Sequence, residues 1–299
     1  MKPGMGGAIT ILHCTGPVDT GFLALAPAKV AILGVVQGLS ELLPISSTAH
    51  MRAIPAFLGW PDPGSAFSAA MQLAALLAVV VYFHKDIAYV SIGSVRALIA
   101  GNWNAPAFRL GGGIILATLP IALAGVSLSG ILNRCHSPFR GTLLIGIAST
   151  LMAALMALAE LWAPRSRTSD QLGYRDALVI GIAQVGALVP GVSRSGSTLT
   201  AAMLMGFRRE DAARVSFLLG VPAIALAGLH ELWVLRQSGL PSGGWLLLAI
   251  GLATSSLSSL LAIWGLMRFL ERHSTWPLIV YRAGFGLILV CGASMNWFH

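Results

Sequence analysis

The stretch QGLSELLPISSTAH, residues 37 to 50, lies between apolar, helix-like segments, yet it packs an amide, a carboxylate, a proline, four hydroxyls and a histidine into fourteen positions. Gln37 and Glu41 are four apart, so on a helix they stack on one face. Pro44 bars that helix from continuing and pushes Leu43 out of the α region. A helix that breaks inside apolar sequence leaves backbone groups unpaired. In a bilayer such groups are tolerated only where they line a cavity or are buried in protein. The stretch therefore points to a membrane bundle built around at least one broken helix.

The rest of the chain supports a bilayer setting. Its 299 residues are 56% hydrophobic and only 10% charged, with mean hydropathy +0.79. Uncharged windows of spanning length occur at Ala66–Phe83, Leu110–Asn133, Gly141–Ala159 and Gln237–Met267, against a requirement of about 20 apolar residues per crossing. A soluble bundle would need charged helix faces, which these segments lack. The net charge of +8 is spread over short connections. The groups are Lys85, Arg96 and Arg109; Arg165, Arg167 and Arg175; Arg208, Arg209 and Arg214; and Arg268, Arg272 and Arg282. Loop charge of this kind suits anionic headgroups better than nucleic acid, and no nucleic-acid partner is expected. The groups do not alternate cleanly from loop to loop, so counting them does not fix the orientation. Cys14, Cys135 and Cys291 are too far apart to suggest a metal site or a disulfide framework. Met1–Thr20 reads as a loose N-terminal extension and not as a cleaved signal.

The longest polar stretch, APRSRTSDQLGYRD at residues 163 to 176, divides the chain into halves that echo each other. Gly34-Val-Val-Gln37 is followed by an apolar turn, Pro44 and hydroxyls; Gly181-Ile-Ala-Gln184 is followed by an apolar turn, Pro190 and hydroxyls. The offset is 147 residues at Gly and Gln and 146 at Pro. A long uncharged helix then follows in each half, at Ala66–Phe83 and Val215–Leu229. Proline-broken helices at corresponding positions of two halves are a sequence pointer to a binding site at a repeat interface. The expected architecture is an all-α polytopic membrane protein, one integral membrane domain over residues 1–299. Its approximate repeat halves are 24–163 and 174–299, inverted if each makes an odd number of crossings, with two re-entrant, broken helical segments.

The two breaks carry complementary chemistry. Ser46, Ser47 and Thr48 stand where a new helix would start, and a helix N-terminus with free N–H groups binds anions. His50 lies three residues after Ser47, which would set a base beside a nucleophile. Ser and Thr after a proline are often only caps, and a histidine in the membrane zone is often only an interhelical hydrogen bond. Glu41 is harder to explain that way, since a carboxylate costs about 2.5–3.5 kcal/mol or more at the bilayer centre. In the second break, Pro190-Gly191 are followed by Ser193, Arg194, Ser195, Ser197 and Thr198. A guanidinium at the head of a helix suits a multiply charged phosphate, because its planar fork grips two oxygens. A phosphate ester or anhydride with a divalent cation would join the halves. Glu41, with Gln37, would hold the metal through oxygen, and a hydroxyl or water would attack while His50 manages the proton.

At these residues the chain resembles the undecaprenyl-pyrophosphate phosphatase family of bacterial membranes, the bacitracin-resistance type. The family's (E/Q)xxxE motif leading into P-x-SST-x-H matches Gln37–Glu41 and Pro44–His50, and its PGxSRSxxT motif matches Pro190–Thr198. The resemblance continues through AAMLMGFRREDAARVSFLLGVP and covers most of the chain from Ala31. It implies a phosphatase that converts the polyprenyl pyrophosphate carrier lipid to its monophosphate for peptidoglycan synthesis and so confers bacitracin resistance. It also implies Mg²⁺ or Ca²⁺, an inverted-repeat helical fold in the inner membrane, and a site open to the periplasmic side. By residue it implies Glu41 as the essential acid, His50 as the catalytic histidine, Ser47 as nucleophile and Arg194 as the phosphate-binding arginine. Ser46, Thr48, Ser193, Ser195, Ser197 and Thr198 fall among the supporting hydroxyls. The partners expected are the lipid substrate and membrane lipids; a homodimer is compatible with the sequence, which is silent on oligomeric state.

Three positions depart from the family pattern. Gln37 stands where many members have glutamate, Ala49 replaces the glycine usual before the histidine, and AFSAAMQLAA (66–75) lacks an acidic residue that relatives often carry. Two other classes share part of this pattern. A type 2 phosphatidic-acid phosphatase needs a histidine six residues after the arginine, where this chain has Thr200. A flippase or secondary transporter shares the inverted-repeat, broken-helix architecture but needs no nucleophile.

Overall fold

A computed structural model describes residues 19–132, 141–295 and 297. The expectations for Met1–Val18, Cys14, Cys135 and Asn133 fall outside the described residues. Eleven α-helices carry the described fold, and it contains no named strand: α1 Pro27–Leu42, α2 Ser47–Phe57, α3 Ser65–Tyr82, α4 His84–Ile99, α5 Pro106–Leu132, α6 Thr142–Trp162, α7 Tyr174–Val185, α8 Arg194–Leu204, α9 Arg209–Ser238, α10 Ser242–Leu270 and α11 Trp276–Ser294. Six of them, α3, α5, α6, α9, α10 and α11, are long and apolar enough to cross a membrane. Three of the windows picked out in the sequence fall on α3, α5 and α6, whereas Gln237–Met267 joins the last residues of α9, the connection after it and most of α10. The chain is an all-α polytopic membrane protein.

The two broken helices are hairpins. Pro44 has no N–H to donate, and α1 stops at Leu42, two residues before it. The return helix α2 ends beside the start of α1, where the Lys29 ammonium sits 5.1 Å from the Trp60 ring centre. The second hairpin, α7–α8, closes in the same way: Arg167 donates to Asp176 at the start of α7 and to the Met205 carbonyl just after α8.

The hairpins enter from opposite ends. The start of α3 lies beside the open end of the first hairpin, because Ser65 N–H bonds Asp19 and Phe22 N–H bonds the Pro63 carbonyl. The far end of α3 leads into α4, where Asp86 pairs with Arg214 near the start of α9. That end also holds the open end of the second hairpin, since Arg208 N–H bonds the Arg167 carbonyl. A buried Glu160 knots the same end together, accepting from Arg165, Arg209 and both the N–H and hydroxyl of Thr275. Of the basic groups picked out in the sequence, Arg165, Arg167, Arg208, Arg209 and Arg214 therefore meet at one end. Arg282 is the exception and corrects the sequence reading: it belongs to no loop but lies within α11, fully buried.

Helix α1 is held hard against α10. A Cβ added at Gly34 would meet Thr254 and the Gly251 carbonyl, and one at Gly38 would meet Ser258 and the Ser255 carbonyl. Small residues here let the backbones approach closely, as is usual between helices in a bilayer. This contact fixes the α1 face that carries Gln37 and Glu41.

Candidate active site

Each return helix begins with a serine in the left-handed region: Ser46 at φ 75° before α2 and Ser193 at φ 67° before α8. That conformation costs a non-glycine residue roughly 1–2 kcal/mol. Each serine recovers part of it by capping its helix, Ser46 Oγ accepting from Ala49 N–H and Ser193 Oγ from Gly196 N–H. The first helical residue is then Ser47 in one break and Arg194 in the other. Two N-termini, each with unpaired N–H groups and a partial positive charge, thus end near one point.

Glu41 is the hub. It is 7% exposed and sits in the last turn of α1. Its Oε2 accepts from Ser47 Oγ at 2.6 Å and from Gln37 Nε2 at 3.0 Å. Its Oε1 lies 3.5 Å from Arg194 Nη2, close enough to attract but too long for a good hydrogen bond. Arg194 Nη2 and Gln37 Oε1 are both buried without a hydrogen-bond partner. A free donor and a free acceptor beside one carboxylate mark a place prepared for a polar ligand.

His50 is placed differently from the sequence expectation, which set it beside Ser47. Its Nδ1 lies 2.7 Å from the Ser46 carbonyl, and a carbonyl only accepts, so Nδ1 carries the proton. In the neutral ring Nε2 then accepts from Tyr281 OH at 2.8 Å. The ring is also stacked on Phe285, with centroids 4.2 Å apart. Both nitrogens are engaged away from Ser47. The turn at Ser46 aims its carbonyl at the His50 ring, and α11 supplies the aromatic slot. The carboxylate of Glu41 takes the position beside the serine hydroxyl.

The supporting hydroxyls are mostly spent on protein. Ser197 and Thr198 donate to the Arg194 carbonyl, and Thr198 also pairs with Ser216 on α9. Others join the breaks: Gly191 N–H donates to Thr48 Oγ1 at 3.1 Å, and Ser195 Oγ donates to the carbonyls of Glu41 and Leu43, each at 3.2 Å. Two participants were missed in the sequence, Tyr281 and Arg282. The available signal was a charge seven residues into an otherwise apolar span, which is expensive unless used.

The donor set can be tested against a divalent cation. Among the described residues no group of three His, Cys, Asp or Glu side chains converges. Mg²⁺ needs only one or two carboxylates when substrate phosphate and water complete its shell. Glu41 and the unpartnered Gln37 Oε1 supply two hard oxygens, which fits such a cation.

Comparisons with known proteins give the family. The family model for the bacitracin resistance protein BacA matches residues 30–288. The chain belongs to this family. A protein named undecaprenyl-diphosphatase 2 from Mesorhizobium japonicum is 57% identical over 262 residues, 88% of this chain and 99% of the relative. Undecaprenyl-diphosphatases of Gloeobacter violaceus and of Synechococcus sp. (strain WH7803) are 50% and 49% identical, over 88% and 87% of this chain and 90% and 91% of their own lengths. The family match runs from within α1 to residue 288 in α11, so every site residue described above lies within it.

Proposed function

We infer that the protein is an undecaprenyl-diphosphatase, a membrane hydrolase that releases phosphate from undecaprenyl diphosphate and returns the monophosphate to cell-wall synthesis, so conferring bacitracin resistance. The observation that carries the reading is the Ser47–Glu41 contact at 2.6 Å facing Arg194. It sets a hydroxyl, a base and a phosphate-binding cation at the mouths of two helix N-termini.

Arg194 and the first-turn N–H groups of α8 hold the terminal phosphoryl group. Ser47 Oγ attacks its phosphorus and passes its proton to Glu41 Oε2. The bond from phosphorus to the bridging oxygen breaks, and the lipid monophosphate leaves with that proton. Water then attacks the phosphoserine, Glu41 takes a proton from it and returns one to Ser47 Oγ, and inorganic phosphate departs. Mg²⁺ or Ca²⁺ held by Glu41 and Gln37 would supply further positive charge against the phosphoryl oxygens. His50 acts as a positioning residue, holding the Ser46 carbonyl and with it the turn that presents Ser47.

The sidedness follows from charge. The end that gathers Arg165, Arg167, Arg208 and Arg209 is taken as cytoplasmic by the positive-inside rule, so the α1–α2 hairpin opens to the periplasm. Three crossings in each half make the halves 24–163 and 174–299 an inverted repeat, with both hairpins re-entrant. The enzyme reading is favoured over a transporter because transport needs no serine–carboxylate pair.

The test is purified protein in detergent with undecaprenyl diphosphate and Mg²⁺. Phosphate release that is lost in Glu41→Gln and strongly reduced in Arg194→Lys supports the site, and a trapped phosphoserine at position 47 supports serine attack. Full turnover in Ser47→Ala would overturn it.

A further inference from the structure

Arg282 is the largest fully buried side chain of the described residues and has no carboxylate within ion-pair distance among them. Its guanidinium instead donates to backbone carbonyls: Nη1 to Pro44 at 2.8 Å, Nη2 to Gly191 at 2.6 Å and Val192 at 2.5 Å, and Nε to Ser149 at 3.2 Å. Pro44 belongs to the first break and Gly191–Val192 to the second. The remaining Nη1 direction faces Met156 Sδ at 3.8 Å. The fork is used in full, and each acceptor at a break is one that the interrupted helix leaves unpaired.

Burying an unpaired cation is costly. A neutral donor would satisfy one or two of these carbonyls, but only a guanidinium reaches three groups in fixed planar directions. The segments it joins are those that carry the reactive groups. Glu41 and Ser47 flank Pro44, and Arg194 follows Val192 by two residues. Gly196, in the first turn of α8, is held against the same group, since a Cβ there would meet Arg282 Nη1. α11 thereby reaches both half-sites.

We propose that Arg282 is a positioning residue that sets the spacing between the Glu41–Ser47 half of the site and the Arg194 half. The proposal rests on the site described above but is separable from it. If spacing is its role, each half keeps its own chemistry when Arg282 is altered. Phosphate is still held by Arg194 and the α8 N-terminus, while in-line attack by Ser47 is misplaced. Small misplacements of that kind cost about a hundredfold in rate.

The experiment measures kcat for lipid diphosphate and inhibition by inorganic phosphate in wild type, Arg282→Lys, Arg282→Met and Gly196→Ala, in detergent with Mg²⁺, with size-exclusion profile and unfolding temperature as the folding check. The expected result for folded Arg282→Lys and Arg282→Met is a fall in kcat of about a hundredfold with phosphate inhibition within about threefold of wild type. Gly196→Ala, which displaces the guanidinium without removing it, should lower kcat by about tenfold in the same pattern, and it decides the matter if neither Arg282 variant folds. Wild-type kcat in these variants, or kcat and phosphate inhibition lost in proportion, would overturn the proposal. Glu41→Gln run in parallel separates this outcome from failure of the site itself: an active Glu41→Gln would refute the site, whatever Arg282 does.

Discussion

At the first break Ser46 turns to φ 75°, caps Ala49 and lies 3.1 Å from Thr48 Oγ1; at the second Ser193 turns to φ 67°, caps Gly196 and lies 3.1 Å from Ser195 Oγ. The matching pairs are all 147 residues apart, and the offset carries Ser47 onto Arg194 and Gln37 onto Gln184. One backbone device thus presents a hydroxyl in one copy and a guanidinium in the other. Glu41 falls on Leu188, and that exchange has a visible trace. Gln37 donates to Glu41, whereas Gln184, fully buried, has no hydrogen-bond partner for either amide atom. The cradle is duplicated and the reactivity is not. The carboxylate and the hydroxyl beside it sit on one hairpin and the guanidinium on the other, so in the proposed mechanism neither hairpin could act alone.

The comparison breaks most sharply at the reactive half. Glu41→Gln and Ser47→Ala should each reduce kcat by roughly a thousandfold or more in a phosphate-release assay. The double variant should be no worse than about the poorer single, because the two act as a unit. If the effects multiply, the residues work independently. Next comes Arg194→Lys, which keeps the charge but loses the fork, with about a hundredfold loss in kcat/KM.

Smaller effects test the shared frame. Tyr281→Phe removes the donor to His50 Nε2 and should lower kcat by about three- to tenfold, with lipid KM unchanged. Ser46→Ala and Ser193→Ala each remove one cap, so each should destabilise by about 1 kcal/mol, read as a lower unfolding temperature in detergent. Similar losses at both positions confirm that the frames are alike, and a large difference would show that one bears more load. The smallest effect concerns the hairpin mouths. Burial alone would raise the Asp176 carboxyl, but hydrogen bonds from Arg167 and the Gly173 N–H hold it below its ordinary value. Its contribution is therefore present above the ordinary carboxyl pKa and is lost as pH falls through the lowered one. Asp176→Asn should be slightly less stable than wild type at pH 7, and the gap should close below about pH 4.

Much of this was legible in the sequence, and the residues show why. Pro44 and Pro190 mark breaks by local chemistry, and the apolar windows mark crossings by length. Glu41 and Arg194 stand out because charge in an apolar chain is expensive. What was not legible depended on distant contacts. Ser47 and His50 are three apart in one helix, yet the ring turns to Tyr281 and Phe285, more than two hundred residues on. The hydroxyls of Ser197 and Thr198 look available in a string of letters but close onto their own helix. Arg282 was grouped with loop arginines because its sequence neighbours, Arg268 and Arg272, do lie at a helix end. Only the packing of α11 behind both breaks shows its separate place.

The charged side chains near the breaks, Glu41, Arg194 and Arg282, sum to one positive charge before any ligand arrives. A folded state that holds uncompensated positive charge gains from any small anion able to enter, and the unfolded chain offers no comparable site. Inorganic phosphate should accordingly protect the protein against heat in proportion to the logarithm of its concentration above the dissociation constant. The reaction product would then double as a preservative during purification.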